Sequence, residues 1–181
     1  VIKITDNFLK PEEHKKILDV VLTNGLLEWK YNQHKVKLTG DDLDDYQFTH
    51  LFYTFHSVTG SPRHVVSPQI DILIPLLSKM RFLALHRIKA NLEPRKSKRF
   101  LSDWHYDVHV DGKPTSNMTT AIYYMNTCDG YTEFEDGTKV DCIANRFVKF
   151  PSNIKHRGVS QLDNKVKCVL NLNFFEHENF S

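Results

Sequence analysis

The sequence predicts a mainly β protein of the α+β kind: a β-sandwich or jelly roll with N-terminal helices packed against one sheet. Three observations carry this expectation. Strand-like pieces crowd the region from residue 81 to 176, separated by turn signals such as "DGK", "EDG" and "PSN". Two helical segments precede them. The last strand, "KCVLNLNFF", alternates cleanly, with Cys168, Leu170, Leu172 and Phe174 on one face and Lys167, Val169, Asn171 and Asn173 on the other. The first face suits packing against helices. The second is too polar for a core and suits a wet, functional pocket.

Taken in order, "VIKIT" reads as a short strand and "PEEHKKILDVVLTNG" as a helix. Pro11 suits its first turn, acidic residues follow at its positive end, and Gly25 suits its stop. Residues 26 to 62 are polar, aromatic and poorly periodic, and the acidic run "DDLDD" within them reads as a solvated loop rather than a metal site. A second helix is expected from Ser67 and Pro68, with Ile70, Leu73, Leu77 and Met80 as its apolar stripe and a kink at Pro75. The strands then follow: "RFLALHRIKANL", "TTAIYYMN", "YTEF", "TKVDCIA", "RFVKF" and "KCVLNLNFF". Many short strands behind helices imply layers built around one sheet. With 181 residues the chain is expected to form a single domain, residues 1–80 as helical support and 81–176 as the β core.

Composition excludes several classes of function. Hydrophobic residues at 40% and charged residues at 25% are ordinary for a globular protein, and a net charge of +2 gives no field for nucleic acid. No apolar run approaches the roughly eighteen residues a membrane span needs. The segment "VIKITDNFLK" lacks a secretory pattern, and the expectation of a cytoplasmic location comes from the cysteines. Cys128, Cys142 and Cys168 fit neither a disulfide framework nor a four-ligand zinc site, and read as buried free thiols in a reducing compartment.

The chemistry concentrates in "WHYDVHVDG", where His-x-Asp occurs twice, as His105/Asp107 and His109/Asp111. A third candidate, His156, follows in "FPSNIKHRG". Two histidines and one carboxylate on neighbouring strands form a facial triad that leaves coordination positions open on a non-haem iron. Lys167, on the next strand, adds a cation suited to an acidic cosubstrate. The first pair is favoured, because Asp111-Gly112 followed by Lys113-Pro114 is turn chemistry; the second pair stays open as the alternative. Zinc also uses two histidines and an acid, but that reading lacks a recognisable general base and leaves Lys167 unexplained. Histidines 14, 34, 50, 56, 64, 86 and 177 have no companion ligands and read as surface or packing residues.

In "RIKANL", the His-x-Asp, "TTAIYYMN", "DGYTEFEDG", "NRFVKFPSNIKHRG" and "KCVLNLNFF", in this order, the sequence resembles the Fe(II)- and 2-oxoglutarate-dependent dioxygenases of the prolyl-4-hydroxylase-like branch, especially the compact versions of phage and bacterial genomes. The resemblance covers Arg87 to Phe175 well and the N-terminal helices more loosely. It implies a double-stranded β-helix, which is a jelly roll. His105, Asp107 and His156 would hold Fe(II), and Lys167 would pair with the far carboxylate of 2-oxoglutarate, where most relatives use Arg. Tyr124 and Thr132 would assist with hydrogen bonds, and Lys165 is the alternative anchor. Dioxygen would be the cosubstrate, with ascorbate an optional reductant. The reaction implied is hydroxylation of an unactivated C–H bond with release of succinate and CO2.

Family analogy suggests a prolyl or other protein side chain as substrate, with a small metabolite second. The loop "EPRKSKRF", with Arg95, Lys96, Lys98 and Arg99, could attract an acidic partner but reads first as a solvated, mobile loop or lid. The arginine-rich end pattern of nucleic-acid demethylases is absent, which argues against a nucleic-acid substrate. A non-catalytic jelly-roll binding module is the alternative of a different class.

Overall fold

A computed structural model describes residues 1–36, 42–58, 61–110 and 112–176. Thirteen strands, two short α-helices, one π-helical turn and one 3₁₀ turn lie within these residues. Strand β1 (Lys3–Thr5) leads to α1 (Pro11–Leu18), which runs on as a π-helical turn over Asp19–Thr23. Strands β2 (Lys30–Asn32), β3 (Gln47–Val58) and β4 (Ser61–Val66) follow, then a 3₁₀ turn, Ile70–Leu73, and α2 (Ile74–Lys79). The remaining strands are β5 (Ala84–Pro94), β6 (His109–Val110), β7 (Lys113–Pro114), β8 (Thr119–Tyr124), β9 (Tyr131–Phe134), β10 (Lys139–Asp141), β11 (Phe147–Pro151), β12 (His156–Val159) and β13 (Val166–Phe175). Among the described residues no helix is long and apolar enough to cross a membrane.

Eight strands form one antiparallel sheet in the order β1-β11-β8-β13-β5-β3-β2, with β4 also paired to β3. A smaller sheet runs β10-β9-β12, and bridges at Leu101↔Val159 and His105↔His156 lay residues 101 to 105 along its β12 edge. The large sheet is covered on both faces. On one, Ile17, Val21, Leu73 and Leu76 from the helical segments meet Tyr123, Leu170, Leu172 and Phe174. On the other, Ile122, Tyr124 and Val148 pack with Phe134 and Phe150 between the sheets. Hence β8 is buried at all six residues, as a strand covered on both sides must be.

The alternation expected of β13 is observed: Cys168, Leu170, Leu172 and Phe174 are all buried in the core shared with the helices. The three cysteines are free and buried. Two expectations are corrected. The region expected as helical support is not helical throughout: residues 26 to 62 carry β2, the twelve-residue β3 and the start of β4. Polar residues on β3 disguise it, since Thr54 is buried and His50 is satisfied by Glu28 O at 2.8 Å and Ser67 Oγ at 2.9 Å. Pro75 does not kink a helix; it occupies the first turn of α2, where its missing N–H costs nothing, and the 3₁₀ turn before it is a separate element.

Candidate active site

His105 and His156 face each other across an antiparallel bridge and exchange both backbone hydrogen bonds, His105 N to His156 O at 3.0 Å and His156 N to His105 O at 3.1 Å. Directly opposed residues project their side chains to the same face, and the two rings lie 4.7 Å apart. Asp107 comes back to that face two residues after His105. Its Oδ1 is 3.9 Å from His105 Nε2 and its Oδ2 is 3.8 Å from His156 Nε2. Ligating atoms of the three side chains all fall within 4.8 Å of one another.

Hydrogen bonds fix how these groups point. His105 Nδ1 lies 2.9 Å from Asp103 O, and His156 Nδ1 lies 3.2 Å from Ile154 O. A carbonyl only accepts, so each Nδ1 carries the proton and each Nε2 keeps its lone pair. Burial pushes the His156 pKa down, which favours the neutral ring that binds metals. For Asp107, burial alone would raise the pKa; His156, Arg87 and His105 outweigh it and hold the carboxyl well below its usual range. Asn171 Nδ2 donates to Asp107 Oδ1 at 3.2 Å, and Arg87 Nη2 stands 3.7 Å from the same oxygen. The other oxygen, Oδ2, is buried with no hydrogen-bond partner. An orphaned anionic oxygen beside two neutral imidazole nitrogens is a donor set that a divalent cation such as Fe(II) satisfies.

These groups open into a cavity of about 360 Å³ whose lining includes His105, Asp107, His156, Thr132 and Lys167. Lys167 crosses from β13 of the large sheet to the small one, where its buried Nζ donates to Val159 O at 2.7 Å and Tyr131 O at 3.1 Å. Close packing surrounds its stem. A Cβ at Gly130 would stand 2.9 Å from Val159 O and 3.0 Å from Lys167 Cδ, so "DGYTEF" needs its glycine. Tyr124 O–H donates to Thr132 Oγ1 at 2.8 Å. Burial raises the Tyr124 phenol pKa, which keeps it a donor.

No family sequence model matches the chain, and no curated protein matches it by sequence. Solved structures do. A 2OG-Fe(II) oxygenase family oxidoreductase from Burkholderia pseudomallei superposes with a TM-score of 0.67 at 11% identity, covering 96% of this chain and 84% of that one. A viral collagen prolyl hydroxylase from Paramecium bursaria Chlorella virus-1, in its 2OG complex, gives 0.60 at 13% identity over 95% and 94%. A prolyl hydroxylase from Trichoplax adhaerens, bound to a hypoxia-inducible-factor peptide fragment, gives 0.63 at 15% identity over 98% and 84%. The fold is that of the 2-oxoglutarate–iron(II) oxygenases.

Within this oxygenase fold the residues singled out from sequence separate clearly. His105, Asp107 and His156 converge, and Thr132 and Lys167 share their cavity. Tyr124 stands behind Thr132 and reaches the cavity only through it. His109 is exposed at the cavity rim, while Asp111 lies outside the described residues. Lys165 is exposed and does not line the cavity. The cationic loop is not a free patch: Lys96 is buried against the Tyr46 ring and donates to Tyr46 O at 3.2 Å, and Arg99 is tied to Asp129 and to Ser160 O. Only Arg95 and Lys98 of its four cations are exposed. Sequence reasoning missed the inward face of β5, where Arg87, Lys89, Asn91 and Glu93 line the cavity. The signal was present, since "RIKANLE" alternates these residues with Ile88, Ala90 and Leu92.

Proposed function

We propose that the protein is an Fe(II)- and 2-oxoglutarate-dependent dioxygenase that hydroxylates an unactivated C–H bond. The observation that carries this reading is the meeting of two Nε2 lone pairs with the unpartnered Asp107 Oδ2 in a cavity shared with the Lys167 ammonium. His105, Asp107 and His156 would hold the metal, which with 2-oxoglutarate and dioxygen supplies the oxidising chemistry and releases succinate and CO2. Lys167 would pair with the far carboxylate of 2-oxoglutarate; as a point charge rather than a bidentate fork it gains from the Thr132 hydroxyl nearby. Tyr124 would position that hydroxyl. The backbone bonds to both Nδ1 atoms hold the imidazoles in register, and the mounting of ligands on strands fixes their separation.

The prolyl hydroxylases of the same fold favour a prolyl or other protein side chain as substrate; a small metabolite is the alternative. The whole chain is read as one domain, because the first 80 residues supply helices and four strands of the large sheet. Three free buried thiols support a reducing, cytoplasmic setting. The test needs no substrate. Anaerobic addition of Fe(II) and 2-oxoglutarate should give a weak visible charge-transfer band, and admission of air should yield succinate without added substrate. His156→Ala should abolish both while leaving the fold intact. Succinate formation at the parent rate by that variant overturns the ligand assignment, and a band without succinate leaves a binding module rather than an enzyme.

A further inference from the structure

Four alternate residues of β5 face the cavity, and three of them are already engaged or neutral. Arg87 donates through Nε to Asn173 Oδ1 at 3.0 Å and leans on Asp107. Glu93 is paired with Lys35. Asn91 carries no charge. Lys89 is different: its ammonium has neither a hydrogen bond nor an ion pair among the described residues, although it is recessed in the cavity wall close to Asp107 and Arg87. Desolvation, followed by the charge of Arg87, pushes its pKa down to about 8. A desolvated ammonium without an acceptor is costly unless a ligand supplies one.

A second orphan stands beside it. Asn171 is the registered partner of Lys89 across β13 and β5, and its orientation is set by the bond from Nδ2 to Asp107. Its Oδ1 therefore points elsewhere, buried and without a donor. Bound 2-oxoglutarate offers only acceptors, so it cannot satisfy that oxygen. A ligand that served both orphans would present an anionic oxygen and a neighbouring N–H or O–H.

We infer that Lys89 is a specificity-determining residue that receives a carboxylate of the primary substrate beside the metal triad, with Asn171 Oδ1 accepting from an adjacent donor on the same molecule. The inference rests on the oxygenase reading and narrows it. The substrate is then a carboxylic acid bearing a neighbouring N–H or O–H, supplied either as a free acid or by an acidic or terminal residue of a peptide. A neutral prolyl ring with uncharged neighbours does not meet this requirement.

The probe is acetate, with acetamide as its uncharged counterpart, titrated into the intact protein loaded with Mn(II) and saturating 2-oxoglutarate. Loading is verified first by loss of the free Mn(II) electron-spin signal, a loss that His156→Ala should prevent. Failure to load sinks the oxygenase reading itself. In the loaded protein, paramagnetic relaxation of the acetate methyl should rise saturably, and acetamide should show none. Lys89→Met should weaken acetate at least ten-fold, whereas Lys89→Arg, which keeps the charge, should retain it; circular dichroism checks that both variants fold. No saturable enhancement, equal enhancement by acetamide, or undiminished binding to Lys89→Met overturns the inference while leaving the oxygenase reading standing. Displacement of acetate by N-acetylglycine, with its free terminal carboxylate, or by an end-blocked Gly-Asp-Gly peptide then tells a terminal from a side-chain source.

Discussion

Lys167→Ala separates the proposed cosubstrate role of this lysine from a merely structural one. Its Nζ donates to the carbonyls of Val159 and Tyr131, so removal takes two buried hydrogen bonds from the link between the sheets. A hydrogen bond to a charged group contributes about 1.5–3 kcal/mol. The thermal midpoint should therefore fall, whatever the lysine does for catalysis. The second effect tests function. Loss of a charge-assisted partner for a carboxylate costs about 1.5–3 kcal/mol, which at about 1.36 kcal/mol per decade is roughly a 10- to 150-fold rise in the 2-oxoglutarate requirement. Succinate formation at graded 2-oxoglutarate, measured well below the lowered melting temperature, reads it directly. Lys165→Ala is the control, since that side chain is exposed and lies off the cavity. A variant that is destabilised yet keeps the parent 2-oxoglutarate requirement would leave Lys167 a strut between sheets and nothing more. A raised requirement in Lys165→Ala would refute the assignment altogether.

Other consequences are open to direct measurement. Gly130→Ala should cost about 1–3 kcal/mol, because a Cβ there meets a backbone carbonyl at 2.9 Å and the Lys167 stem at 3.0 Å; urea unfolding measures the loss, and the 2-oxoglutarate requirement should rise with it. Mn(II) at a hundred times its dissociation constant should stabilise the protein by about 2.7 kcal/mol, an increment absent in His156→Ala and reversed by a chelator. His14 bears on pH: its Nδ1 lies 2.6 Å from Tyr123 Oη, and burial depresses its pKa. A folded pKa below the unfolded value of about 6.5 means that the unfolded chain takes up the proton first. Its contribution is present above that value and is lost as pH falls through the folded pKa. Urea midpoints at pH 7.5 and 5.5 should accordingly differ less in His14→Gln than in the parent, and an equal difference would dismiss the assignment.

The parts of the fold legible in the sequence are those where packing and chemistry agree. β13 could be read residue by residue because Cys168, Leu170, Leu172 and Phe174, buried in the core, alternate with Lys167, Val169 and Asn171, which line the cavity. β3 could not, because His50 and Thr54 lie in the sheet with their polar atoms satisfied locally or buried. A pattern rule assumes that polar means exposed, and it fails wherever a hydrogen bond replaces water. The same assumption made the Glu93–Phe100 loop look free. In fact Lys96 lies buried on an aromatic face and Arg99 is held by a carboxylate and carbonyls.

The choice between the two His-x-Asp pairs shows what spacing contributes and where it ends. Turn chemistry at Asp111-Gly112 disfavoured the second pair without explaining why the first should work. The explanation is non-local: His105 is the residue that pairs with His156 across two reciprocal backbone bonds. A shift by one residue would send one imidazole to the opposite face. His109, four residues on, retains the same local motif but sits exposed at the rim. The convergence of His105, Asp107 and His156 is therefore a property of β-bridge register, set by the pair of hydrogen bonds between residues 105 and 156.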